Sequence, residues 1–157
     1  MKDDSKGFSL IEIIIVIAIM AILVAIIAPN LTKYLGKSKK NVDVRNADEI
    51  ATQLQNCITD FETEGVYLID INTDPSAKVT VEWTESKGAY IATVDSSEGS
   101  TEEEDFADII NRNVTAKTVS KEVAGATAIA TITLNRKDNQ DYGYIVEVVL
   151  GNAKVVK

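Results

Sequence analysis

Two hydrophobic periods divide the chain. From Phe8 to Ala28 the sequence is apolar on every side for 21 residues, with Ser9 and Glu12 as its strongly polar positions. About 20 residues at roughly 1.5 Å each match the ~30 Å hydrocarbon core of a bilayer, so this stretch is long enough to cross one as a helix. Further on, apolar residues recur at Ala47, Ile50, Ala51, Leu54, Cys57, Ile58 and Phe61. Steps of three and four place them on one helix face. Asp48, Glu49, Thr52, Gln53, Gln55 and Asn56 take the other side. The pattern predicts one helix over residues 8–64, apolar all round in its first half and amphipathic in its second. Pro29 removes a backbone donor and loosens it, Gly36 weakens it again, and Gly65 supplies a left-handed cap at its end.

Beyond Gly65 the period falls to two. Val66–Ile71, Lys78–Thr84, Ala89–Val94, Ala128–Leu134, Tyr144–Leu150 and Ala153–Val156 read as strands. Glu85-Ser86-Lys87-Gly88 is a hairpin link, and Asn135 to Asp141 a loop between two later strands. Thr101 with Glu104 forms a capping box ahead of a short amphipathic helix carrying Phe106, Ile109, Ile110 and Val114. The acidic run Glu102–Asp105 sits in its first turn, where the helix dipole favours it. The expected fold is α+β: a long N-terminal helix whose amphipathic half packs on a C-terminal antiparallel sheet.

Charge is segregated. Residues 33–45 hold Lys33, Lys37, Lys39, Lys40 and Arg45 against Asp43, a net +4, whereas residues 46–157 hold 9 basic and 20 acidic residues, a net −11. An acidic domain repels phosphate backbones, so no direct nucleic-acid binding is expected. The basic neck reads either as a solvated face drawn to anionic lipid, or as a surface that lies against acidic neighbours and weakens in salt. With no histidine there is no His-based triad or His metal site, and no phosphate-binding glycine loop or nucleophile elbow occurs. An enzyme is not expected. Cys57 cannot close an intrachain disulfide and reads as a small core residue.

Lys6-Gly7-Phe8-Ser9-Leu10-Ile11-Glu12 ahead of the apolar run resembles the signal of type IV prepilins and the related pseudopilins. The resemblance covers residues 6–35. It implies that 1–7 is a leader, cut by a prepilin peptidase between Gly7 and Phe8, with N-methylation of Phe8. Glu12, with Phe8, would be the assembly group, pairing with a neighbouring subunit's N-terminus, and Pro29 the helix-loosening residue. It further implies residues 8–28 as membrane and filament core and 65–157 as a head. The subunit would be single-pass in the membrane, then extracellular in a helical homopolymer built on an inner-membrane assembly platform, in a bacterium. Ser9 stands where threonine is commoner, and Ala21 where many relatives have glycine. The lack of a cysteine pair leans towards a Gram-positive source.

No cofactor is expected. Asp70 to Asp74 has half a calcium loop, lacking both the turn glycine and the closing glutamate. Related pseudopilins hold calcium near their C-terminal loops, which makes Asp138 and Asp141 the other calcium positions. Alternative readings are a pseudopilin of a secretion or DNA-uptake machine, or a single-span anchored binding module. A cleaved secretory signal fits poorly, since the leader has no net charge and Glu12 interrupts an overlong apolar centre. The basic residues follow the span, which the positive-inside rule would read as the opposite orientation.

Overall fold

The computed structural model describes residues 8–63, 77–87, 89–96, 102–137 and 140–157. Helix α1 spans Leu10–Thr63 and α2 spans Glu102–Asn113. The strands are β1 (Lys78–Ser86), β2 (Ala89–Ser96), β3 (Ala128–Lys137), β4 (Gln140–Leu150) and β5 (Ala153–Val156). By its internal contacts the chain divides into two units, Met1–Ser38 and Lys39–Lys157.

In the first unit every described residue is exposed. Leu10 is 81% and Ile26 63% exposed, so this apolar surface has no cover among the described residues. The helix satisfies its own backbone polar groups, which is what a segment in hydrocarbon must do. The helix runs through Pro29 without a break, although proline supplies no N–H there. The Thr32 hydroxyl donates to the Pro29 carbonyl at 3.0 Å.

In the second unit all seven apolar positions from Ala47 to Phe61 are buried, together with Asp43. They join one core with Val79, Val81 and Trp83 of β1, Ala128, Ala130 and Ile132 of β3, and Val146, Val148 and Leu150 of β4. These are alternate residues of each strand, as a sheet with one covered face requires. The register sets them side by side: Val79 opposite Ile132, Val81 opposite Ala130, and Ala130 in turn opposite Val148. The sheet is antiparallel throughout, in the order β2-β1-β3-β4-β5. Phe106 of α2 meets Phe61 of α1 edge to face, with ring centroids 5.2 Å apart. Burying each such side chain contributes about 1.5–3 kcal/mol.

Strands β1 to β4 all run longer than the hydrophobic alternation predicted, β3 and β4 the most. The ladder of β3 and β4 continues through Arg136 opposite Asp141 and Lys137 opposite Gln140, past a register shift between Leu134 and Arg136. Backbone pairing does not need apolar side chains, so polarity alone misplaced that loop. The β1–β2 hairpin forms as expected, with Lys87 at φ 51° in its turn. The expected strand at 66–71, the Gly65 cap and Thr101 of the capping box lie outside the described residues.

On outer strand β2 the outward peptide groups of one residue are taken by a side chain. Ala92 turns its peptide groups away from β1, and Asn111 of α2 meets both: the Ala92 N–H donates to Asn111 Oδ1 at 2.8 Å, and Asn111 Nδ2 donates to the Ala92 carbonyl at 3.2 Å. Between β4 and β5, Gly151 has φ +59°, and a Cβ there would lie 2.5 Å from Ser120 Oγ. Glycine meets both the left-handed backbone and the close approach.

Candidate functional site

At the head of α1, Ser9 and Glu12 bond reciprocally. The Ser9 N–H donates to Glu12 Oε2 at 2.9 Å and the Glu12 N–H to Ser9 Oγ at 3.3 Å. This is a capping box, in which the serine ends the helix and the glutamate three residues later reaches back to it. The spacing Ser9-x-x-Glu12 carries that signal in the sequence. Phe8, directly before the cap, is 84% exposed. Glu12 therefore has a local task at the mouth of an exposed apolar helix, and its carboxylate remains accessible to a second partner. Gly7 and Asp138 lie outside the described residues. Asp141 takes its place in β4 opposite Arg136. Among the described residues no three acidic or thiol side chains converge into a metal-binding group.

The second site was missed from sequence. Asp43, counted with the solvated charges of the basic neck, is wholly buried. Its carboxylate accepts from the Ser120 hydroxyl at 2.5 Å, the Lys121 N–H at 2.6 Å and the Glu122 N–H at 2.9 Å. Ser120 Oγ in turn accepts from the Val123 N–H at 2.8 Å. Burial alone would push the Asp43 carboxyl up. The hydrogen bonds from Lys121, Ser120 and Glu122, with the Lys121 charge nearby, outweigh it and hold the group below its ordinary 3.8. The signal was present as helix phase: Asp43 precedes Ala47 by four residues and Ile50 by seven, on the buried stripe.

Gln53 makes a parallel clamp ten residues on. Its Oε1 accepts from the Thr115 N–H at 3.0 Å and the Ala116 N–H at 3.1 Å. Two α1 side chains thus hold the segment between α2 and β3 against the helix. Near the end of α1 the Tyr144 hydroxyl donates to Glu62 Oε1 at 2.5 Å, and between the two clamps Lys157 Nζ reaches Thr52 Oγ1 at 2.6 Å and Asp48 Oδ1 at 3.0 Å. The polar flank of α1 is therefore partly a docking surface. Cys57 is a buried free thiol, pushed up by burial and by the Asp60 charge.

The family match falls on the N-terminal part of the chain. Residues 2–28 match the family described as the prokaryotic N-terminal methylation motif. The chain is 35% identical over 65 residues to a type IV major fimbrial protein FimA of Dichelobacter nodosus, covering 41% of this chain and 42% of that protein. Another FimA of the same organism is 34% identical over 90 residues, covering 57% of this chain and 52% of the relative. These matches support the type IV pilin family. The chain spans about half the length of the curated pilin relatives it matches, or less. No solved structure matches it.

Proposed function

We propose that this chain is the structural subunit of a type IV pilus, trimmed between Gly7 and Phe8, N-methylated at Phe8, and polymerised through the first half of α1. The supporting observation is the uncovered apolar surface of α1 with one carboxylate, Glu12, at its head. Such a surface is at home in lipid. Outside lipid it is costly in water unless copies of the same helix cover it. Assembly is then an exchange of lipid for neighbouring helices, and Glu12 favours the register that brings it beside a positive amine. The fimbrial relatives and the methylation motif support the same reading.

The capping box makes the test sharper. Glu12→Gln keeps a side chain that can complete the cap and removes the charge. Ser9→Ala weakens the cap and keeps the charge. Both variants insert in the membrane; Glu12→Gln yields few sheared fibres and Ser9→Ala yields many. Normal fibres from Glu12→Gln would sink the charge-pairing role. Intact mass of the sheared and membrane fractions completes the test. A chain starting at methylated Phe8 among sheared fibres is the expected result, the same chain confined to membranes points to a pseudopilin, and an untrimmed chain overturns the reading.

A further inference from the structure

The segment clamped by Asp43 and Gln53 walls a groove of about 310 Å³, with Trp83, Tyr90 and Asn111 on its other sides. Its charged lining residues are Lys117 and Lys121, both exposed and in no ion pair among the described residues. Two lysines in one concavity stand out on a stretch carrying a net −11. Because Asp43 binds the Lys121 backbone and not its side chain, the wall is set while the ammonium stays available. Tyr90, 40% exposed, adds an aromatic surface.

The complementary surface lies at the other end of α2. Glu104 and Asp105 are exposed in its first turn and in no ion pair among the described residues, whereas Asp108 is taken by Arg112 at 3.2 Å. Asn111, at the groove, follows Glu104 by seven residues, about 10 Å along a rigid helix. A chain therefore cannot fold its own acidic turn into its own groove.

We propose that this groove receives the acidic first turn of α2 from a second copy of the chain, with Glu104 and Asp105 facing Lys117 and Lys121. The two surfaces differ, so the contact is head-to-tail, and such contacts propagate along a fibre unless they close into a ring. The inference rests on the filament reading and adds to it a salt-sensitive joint between domains. Each exposed pair is weak alone, and repetition along the fibre multiplies it.

The test uses the full chain in its own cells in four forms: the parent, Lys117→Glu with Lys121→Gln, Glu104→Lys with Asp105→Lys, and all four together. Glutamine at 121 avoids a second carboxylate beside Asp43. The readouts are sheared fibre relative to membrane-held chain, and the salt concentration at which fibres come apart. Each one-sided pair lowers both several-fold and the combination restores them, a rescue that mere unfolding of α2 would not give. Unchanged yield and salt tolerance in the one-sided forms would overturn the joint. So would a loss confined to the lysine pair without rescue, which assigns the groove to another partner. A parent without fibres under any condition would instead remove the filament reading beneath it.

Discussion

Residues 10–28 and 47–61 belong to the same helix and are both rich in isoleucine, leucine and alanine, but their surroundings are opposite. The first stretch is exposed along its whole length, and the second buries every apolar position it has. The difference is patterning. A stripe on one face can be covered by one sheet, as β1, β3 and β4 cover this one. A cylinder that is apolar on all sides cannot be covered by one small domain, and among the described residues nothing covers this one. One half of α1 therefore serves the fold and the other serves what surrounds the molecule.

The comparison breaks most visibly at leucine. Leu54→Ala removes a fully buried side chain and should cost about 2–5 kcal/mol, read as a lower melting temperature of the detergent-solubilised chain. Leu23→Ala, at a position 53% exposed, should leave that melting temperature unchanged. A comparable loss at Leu23 would show that its half of the helix also supports the fold.

Asp43 sharpens the boundary between the halves. Asp43→Ala strands three donors and should cost about 3 kcal/mol. The sign with pH follows from the lowered carboxyl. Its stabilisation is fully present above the ordinary 3.8 and disappears as pH falls through the still lower folded value. Thermal unfolding followed from about pH 5 to about pH 2 should thus decline less steeply in Asp43→Asn than in the parent; parallel curves would remove the charge from the account.

Gly151→Ala comes next. It forces a side chain into a left-handed conformation and against Ser120, at about 1–3 kcal/mol by denaturant unfolding. The smallest effect belongs to Arg112→Ala, since its pair with Asp108 is 74% and 65% exposed and such helix pairs contribute about 0.3–0.5 kcal/mol.

The α+β fold was legible because its core speaks in periods. Steps of three and four gave the α1 face, and alternation gave β1, β2 and the inner parts of β3 and β4. The head of α1 was legible by likeness, although the cap that Ser9 and Glu12 make there was overlooked. The clamps were not legible. Asp43 and Ser120 are 77 residues apart, and a single aspartate among lysines looks like a surface charge until its helix phase is counted. Gln53 was hidden for the same reason: a long-range partner leaves no local mark, and polarity was taken for exposure.

Asn111 bears on the kind of polymer that the proposed filament would be. An unpaired outer strand invites another strand, and stacks built that way are very hard to take apart. With α2 lying along β2 and a carboxamide occupying the free peptide of Ala92, that route is obstructed at β2. The proposed contacts, through the apolar helix and through the groove beside α2, need no new strand pairing at β2, and lipid or salt can undo them. In the proposed filament, a single amide side chain would thus help to keep subunits from locking together through β2.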